Sequence, residues 1–235
     1  MSAWAPKRFW KETVVTETEG GFTVHLDGRP IRTPQKSALT VPTRAMAELI
    51  ASEWEAQQGK IAPETMPATR AANSALDKLS VQREAVVAML AAYGETDLLC
   101  YRAERPLQLV ARQAEIWNPL LTWAAETLQA PLQVTEGVLP VAQPAASLAR
   151  LTAGIAALDD FRLTAFHDLV AISGSLVLAL ALISGQIDVA EAWAASRLDE
   201  TWQSEQWGID EEAAATEAAK RAAFEQAWRF YGLCG

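Results

Sequence analysis

The chain has 235 residues, half of them hydrophobic and 21% charged, which is ordinary globular usage and excludes a disordered or fibrous protein. Its formal net charge of −9 opposes binding to nucleic acid or anionic lipid, because both require a positive footprint. Two cysteines, Cys100 and Cys234, are too few and too far apart for a disulfide framework or a structural zinc site.

Residues 1–10 hold Lys7 and Arg8 with no apolar stretch after them, so no secretory signal is expected. Short β-prone runs follow at 12–18, 22–27, 30–33 and 38–41, separated by Gly20-Gly21, Asp27-Gly28 and Pro34. Phe22, Val24 and Leu26 alternate with Thr23, His25 and Asp27, the pattern of a strand with one buried side. A small antiparallel β unit of this size is too small to stand alone and is expected to pack against helices.

Pro42-Thr43 opens a helix with Thr43 as N-cap, Met46, Leu49, Ile50 and Trp54 at apolar spacing, and Gly59 as its stop. Helical stretches are predicted at 69–79, 81–93 and 107–129, the last kinked or broken at Pro119. Residues 130–144 form a proline-rich connection, with one short extended piece at 132–134. Four more helices are predicted at 145–158, 160–184, 188–205 and 210–231, with Asp188 and Asp210 as start signals. The run from Leu169 to Ile183 is too short for a membrane span and reads as a buried helix, with Ser173-Gly174-Ser175 allowing close packing. The expected class is α+β, with a β-rich N-terminal domain over 1–62 packed beside a larger all-helical domain over 63–235.

Catalytic signals are sparse. His25 and His167 stand in no nucleophile motif, and no phosphate-binding glycine loop follows a strand, so no nucleotide or other cofactor is expected. The acid pairs Asp159-Asp160, Asp199-Glu200 and Glu211-Glu212 read as solvated or helix-capping groups. Nine tryptophans are more informative. Trp193, Trp202 and Trp207 crowd one helical stretch with Asp199, Glu200 and Glu205, which suits either a recognition surface or core filling. Asp199 and Trp202, three residues apart, share a helical face.

Six stretches carry a resemblance to a known family: RFWKE (Arg8 to Glu12), LDGRPIRTP (Leu26 to Pro34), LTVP (Leu39 to Pro42), SEWEAQQGKI (Ser52 to Ile61), ETDLLCYR (Glu95 to Arg102) and SRLDETWQSEQWG (Ser196 to Gly208). Together they resemble the assembly chaperones for the catalytic head of F-type ATP synthase, specifically the members that hold the alpha subunit. The resemblance implies a β-rich domain followed by a helical one, no enzymatic activity, and a surface that shields the alpha subunit until its neighbour arrives. It singles out Trp54 and Asp199, the latter standing where a glutamate is usual, with Glu200 beside it. The expected partner-binding set is Trp54, Asp199, Glu200, Trp202, Glu205 and Trp207, although Trp54 also suits a structural role between the two domains. No mitochondrial transit segment is recognisable, so the resemblance points to a bacterial cytoplasmic member. Two alternatives remain open from the residues: a small hydrolase using His167 with Asp168 or the Asp159-Asp160 pair, and a stable structural subunit of a larger complex.

Overall fold

The computed structural model describes residues 7–208 and 211–235. The chain divides into two compact units. The first comprises residues up to Arg83 together with Asp159–Ala165 and Arg229–Gly235; the second comprises Glu84–Leu158 and Phe166–Trp228.

The first unit begins with a three-stranded antiparallel sheet, β1 (Thr13–Thr18), β2 (Gly21–Leu26) and β3 (Arg29–Pro30), in that order. β1 and β2 pair from Thr13 opposite Leu26 to Thr18 opposite Gly21. Asp27 and Gly28 both adopt positive φ, 48° and 77°, as a tight hairpin turn demands. At Gly21 the limit is space: a Cβ there would stand 2.2 Å from the Val41 carbonyl oxygen.

The runs at 30–33 and 38–41 were expected as strands, but only Arg29–Pro30 is one; the rest is reduced to isolated bridges pairing Arg32 with Ala38 and Phe22 with Val41. The reason is local. A turn at Thr33 to Ser37, with Lys36 at φ 68°, folds the segment on itself, and Thr23 Oγ1 donates to the Leu39 carbonyl at 2.7 Å.

Helix α1 (Arg44–Glu55) starts at Thr43, whose Oγ1 accepts from the Met46 amide at 3.2 Å and donates to the Leu233 carbonyl at 2.6 Å. It lays Met46, Ala47 and Ile50 on β1 and β2, in a core with Trp10, Val24, Leu26, Phe230 and Cys234. α1 also carries the buried Glu53, whose carboxylate caps helix α2 (Pro67–Ser74). It accepts from the amides of Ala68 and Thr69 at 2.7 and 2.8 Å and from Thr69 Oγ1 at 2.7 Å. The N-cap residue, Met66, offers no side-chain acceptor, so the acid from another helix takes the free amides that follow Pro67. A π turn at Ala75–Leu79 leads into α3 (Ser80–Ala92).

The second unit is mostly helical: most of α3, then α4 (Leu107–Thr127), α5 (Ala145–Ala156), most of α6 (Asp160–Ser173), α7 (Leu176–Ile183), α8 (Val189–Ser196), α9 (Leu198–Trp207) and most of α10 (Glu211–Gly232). It also holds a short parallel pair, β4 (Tyr101–Arg102) with β5 (Thr135–Glu136), so this helical part is not free of strand. Pro119 lies inside α4 without ending it. The start expected at Asp210 lies outside the described residues.

Two helices expected as continuous are each broken in two. At 160–184 the break falls on Ser173-Gly174-Ser175, so these residues end one helix and start another. Its cause lies upstream: the fully buried Asp97 accepts from Ser175 Oγ at 2.7 Å, the Val177 amide at 2.9 Å and the Leu99 amide at 3.0 Å. Burial raises the Asp97 pKa, and these bonds oppose the rise. At 188–205 the break falls at Arg197, with φ −112° and ψ 18°. Among the described residues no helix is long and apolar enough to cross a membrane.

Candidate partner-binding surface

Helix α9 is set down by its buried first residue, Leu198, which joins Trp117, Leu121, Val177 and Ala195 in the core of the second unit. Trp193 of α8 is buried beside Phe224, with ring centroids 5.7 Å apart, so this tryptophan of the expected cluster fills core. The turn between α8 and α9 is held by Arg197, which donates to Glu200 at 3.0 Å and to the Ile172 carbonyl at 3.3 Å.

The first turn of α9 sends its two acids different ways. Asp199 is half-buried and accepts from Gln113 Nε2 of α4 at 2.7 Å; Gln113 Oε1 in turn accepts from the Ala103 amide at 2.8 Å. One amide side chain thus ties α9, α4 and the segment after β4 together. Burial raises the Asp199 pKa first and the Glu200 charge adds to it, against the Gln113 bond and Arg102. Arg102 is buried over the Trp117 ring, 5.2 Å from its centroid, and gives its Nε–H to the Leu99 carbonyl at 2.8 Å. Glu200 stays exposed.

Further along α9, Arg112 of α4 brings two expected residues together. Its Nη1 reaches both Glu205 oxygens, at 3.0 and 2.8 Å, and its guanidinium lies 5.2 Å from the Trp202 ring centroid. Trp207 closes the helix with 80% of its surface exposed, and Gly208 stops it at φ 89°. Seven residues separate Glu200 from Trp207, so the two share one helical face.

Trp54 belongs to the first unit, where its half-buried ring meets Trp10 edge-on at 5.2 Å and 64°. Its indole Nε1 has no hydrogen-bond partner among the described residues. Of the residues weighed for hydrolysis, Asp159 and Asp160 are engaged elsewhere, while His167 and Asp168 pair with each other at the surface. Asp159 accepts from the amides of Phe161 and Arg162 at the start of α6, Asp160 pairs with Arg83, and His167 Nδ1 lies 2.9 Å from Asp168.

Sequence reasoning passed over Arg112 and Gln113. Gln113 carried a signal, since it sits at apolar spacing with the buried Trp117, Leu120 and Ala124, where a polar side chain needs a partner. Arg112 carried none.

The sequence profile described as ATP12 chaperone protein matches residues 7–125. A curated relative, protein atp12, mitochondrial, of Schizosaccharomyces pombe, is 26% identical over 219 residues, covering 88% of this chain and 75% of its own. The crystal structure of Atp12 from Paracoccus denitrificans is 52% identical, with a TM-score of 0.92 and coverage of 97% of this chain and 98% of that one. An aspartate-to-lysine mutant of the same P. denitrificans protein superposes with the same values. A structure from Agrobacterium tumefaciens is 40% identical, with a TM-score of 0.93, covering 98% of this chain and 87% of that one. On sequence and fold alike, the chain belongs to the ATP12 chaperone family, whose members serve the assembly of ATP synthase.

Proposed function

We propose that this protein binds the unassembled alpha subunit of F-type ATP synthase and shields it, by a surface and without catalysis, until a neighbouring subunit takes its place. The observation that carries the reading is Trp207, a large aromatic side chain 80% exposed, with the exposed Glu200 two turns earlier on the same face of α9. An exposed tryptophan on a face that also carries acids suits a partner that offers apolar surface and cations. Trp202 and Glu205, held by Arg112, extend that surface. Asp199 is its positioning residue: it acts through Gln113 and fixes α9 against α4. Trp54 contributes from the first unit, by contact or by supporting the fold around it.

An unassembled subunit exposes apolar interface that drives aggregation, and covering it lowers the concentration of the sticky species with no need for nucleotide. Release follows when the proper neighbour competes for the same surface. A bacterial cytoplasmic site of action accords with this role. The test is comigration of the purified protein with isolated alpha subunit on a sizing column in nucleotide-free buffer. Comigration that vanishes when beta subunit is added is the expected result; absence of any complex with alpha would sink the proposal.

A further inference from the structure

The outer face of α4 carries an open groove of about 620 Å³ that the surface on α9 does not include. Pro119 and Trp123, four residues apart, lie on one side of the helix and form its apolar floor, and Gln186 adds the other bank. Glu115, Asn118, Thr122 and Glu126 succeed one another at three- and four-residue spacing and build a polar wall. All four are exposed. The two glutamates stand 11 residues apart, about 16 Å along the helix. Among the described residues no lysine or arginine lines the groove. Pro119 has no N–H to give to the Glu115 carbonyl, which places a further acceptor at the acidic end.

The groove also continues the surface already described. Arg112, Ile116, Pro119 and Trp123 follow one another at spacings of four, three and four, so they form one stripe along α4. Its first member holds Trp202 and Glu205, its second is exposed, and its last two floor the groove. A proline and a tryptophan beside a polar wall that holds two glutamates, with no basic residue lining the groove, are complementary to a cation on an aliphatic stem.

We infer that this groove takes a short lysine- or arginine-bearing segment of the same client subunit, so that the client is gripped along α4 as well as on α9. This inference rests on the proposed function. It is tested with the full chain and isolated alpha subunit by titrating binding for the unaltered protein, the pair Glu115→Lys/Glu126→Lys, and the milder pair Glu115→Gln/Glu126→Gln. A benzophenone on Thr122→Cys reports proximity, since Cys100 and Cys234 are buried. The lysine pair is expected to weaken binding about tenfold at low salt and the glutamine pair about threefold, both differences shrinking as salt rises. The benzophenone is expected to cross-link to a stretch of alpha subunit containing lysine or arginine. Unchanged binding by both pairs, with no cross-link from Thr122→Cys while the unaltered chain still binds, overturns the groove alone. Failure of the unaltered chain to bind overturns the proposed function and the groove with it.

Discussion

As sequence, Ser52 to Ile61 of the first unit is similar to Ser196 to Gly208 of the other, each segment mixing tryptophan, glutamate and glutamine, yet the two put those side chains to different use. In the first, Glu53, Glu55 and Gln57 are spent on bonds within the unit. Glu53 caps α2, Glu55 receives Arg8 and Thr13 at 2.8 Å each, and Gln57 bonds the Glu53 carbonyl, Thr65 and the Ala62 amide. In the α9 segment, Asp199 is the one acid that is not exposed, Glu200 and Glu205 pair with Arg197 and Arg112 at the surface, and Trp207 faces water. A motif rich in aromatics and acids is therefore no guide to contact until its hydrogen bonds are assigned: one segment buries Glu53 and half-buries its tryptophan, and the other leaves a tryptophan in water.

The sharpest break in that contrast would come from Glu53. Glu53→Ala orphans two amides and a hydroxyl inside the first unit and should cost about 3 kcal/mol of stability, read from urea unfolding. A loss below about 1 kcal/mol would mean that the α1–α2 junction relaxes to replace the acid. Trp54→Ala comes next, with about 2 kcal/mol expected for a half-buried ring edge-on to Trp10. If that variant keeps its stability and instead loses the alpha subunit on a sizing column, Trp54 belongs with the contact residues and the contrast fails. Trp207→Ala is the reverse case. Its melting temperature should hardly move, while affinity for alpha subunit drops about tenfold by titration. Equal affinity would remove Trp207 from the surface.

The β1–β2 hairpin and the start of α1 were readable because their causes are local: alternation, an Asp-Gly turn and a threonine cap all act within a few residues. The break at Ser173-Gly174-Ser175 was not readable, because the acid that caps α7 lies 78 residues upstream. The surface was legible only in part for the same reason. Its α9 members stand together in sequence, but Gln113 and Arg112, which orient Asp199, Trp202 and Glu205, lie 86 and 93 residues from the acids they bind. Helical periodicity names a face; it does not name what meets it.

The bond from Thr43 to the Leu233 carbonyl joins residues 190 positions apart, and Phe230 and Cys234 sit in the same core as β2 and α1. During synthesis the first unit must therefore wait, its sheet and first helix made early but lacking their last wall until residue 234 has left the ribosome. The nascent chain thus passes through a stage of exposed apolar surface, and translation stalled before Arg229 would leave the β domain as a sticky species.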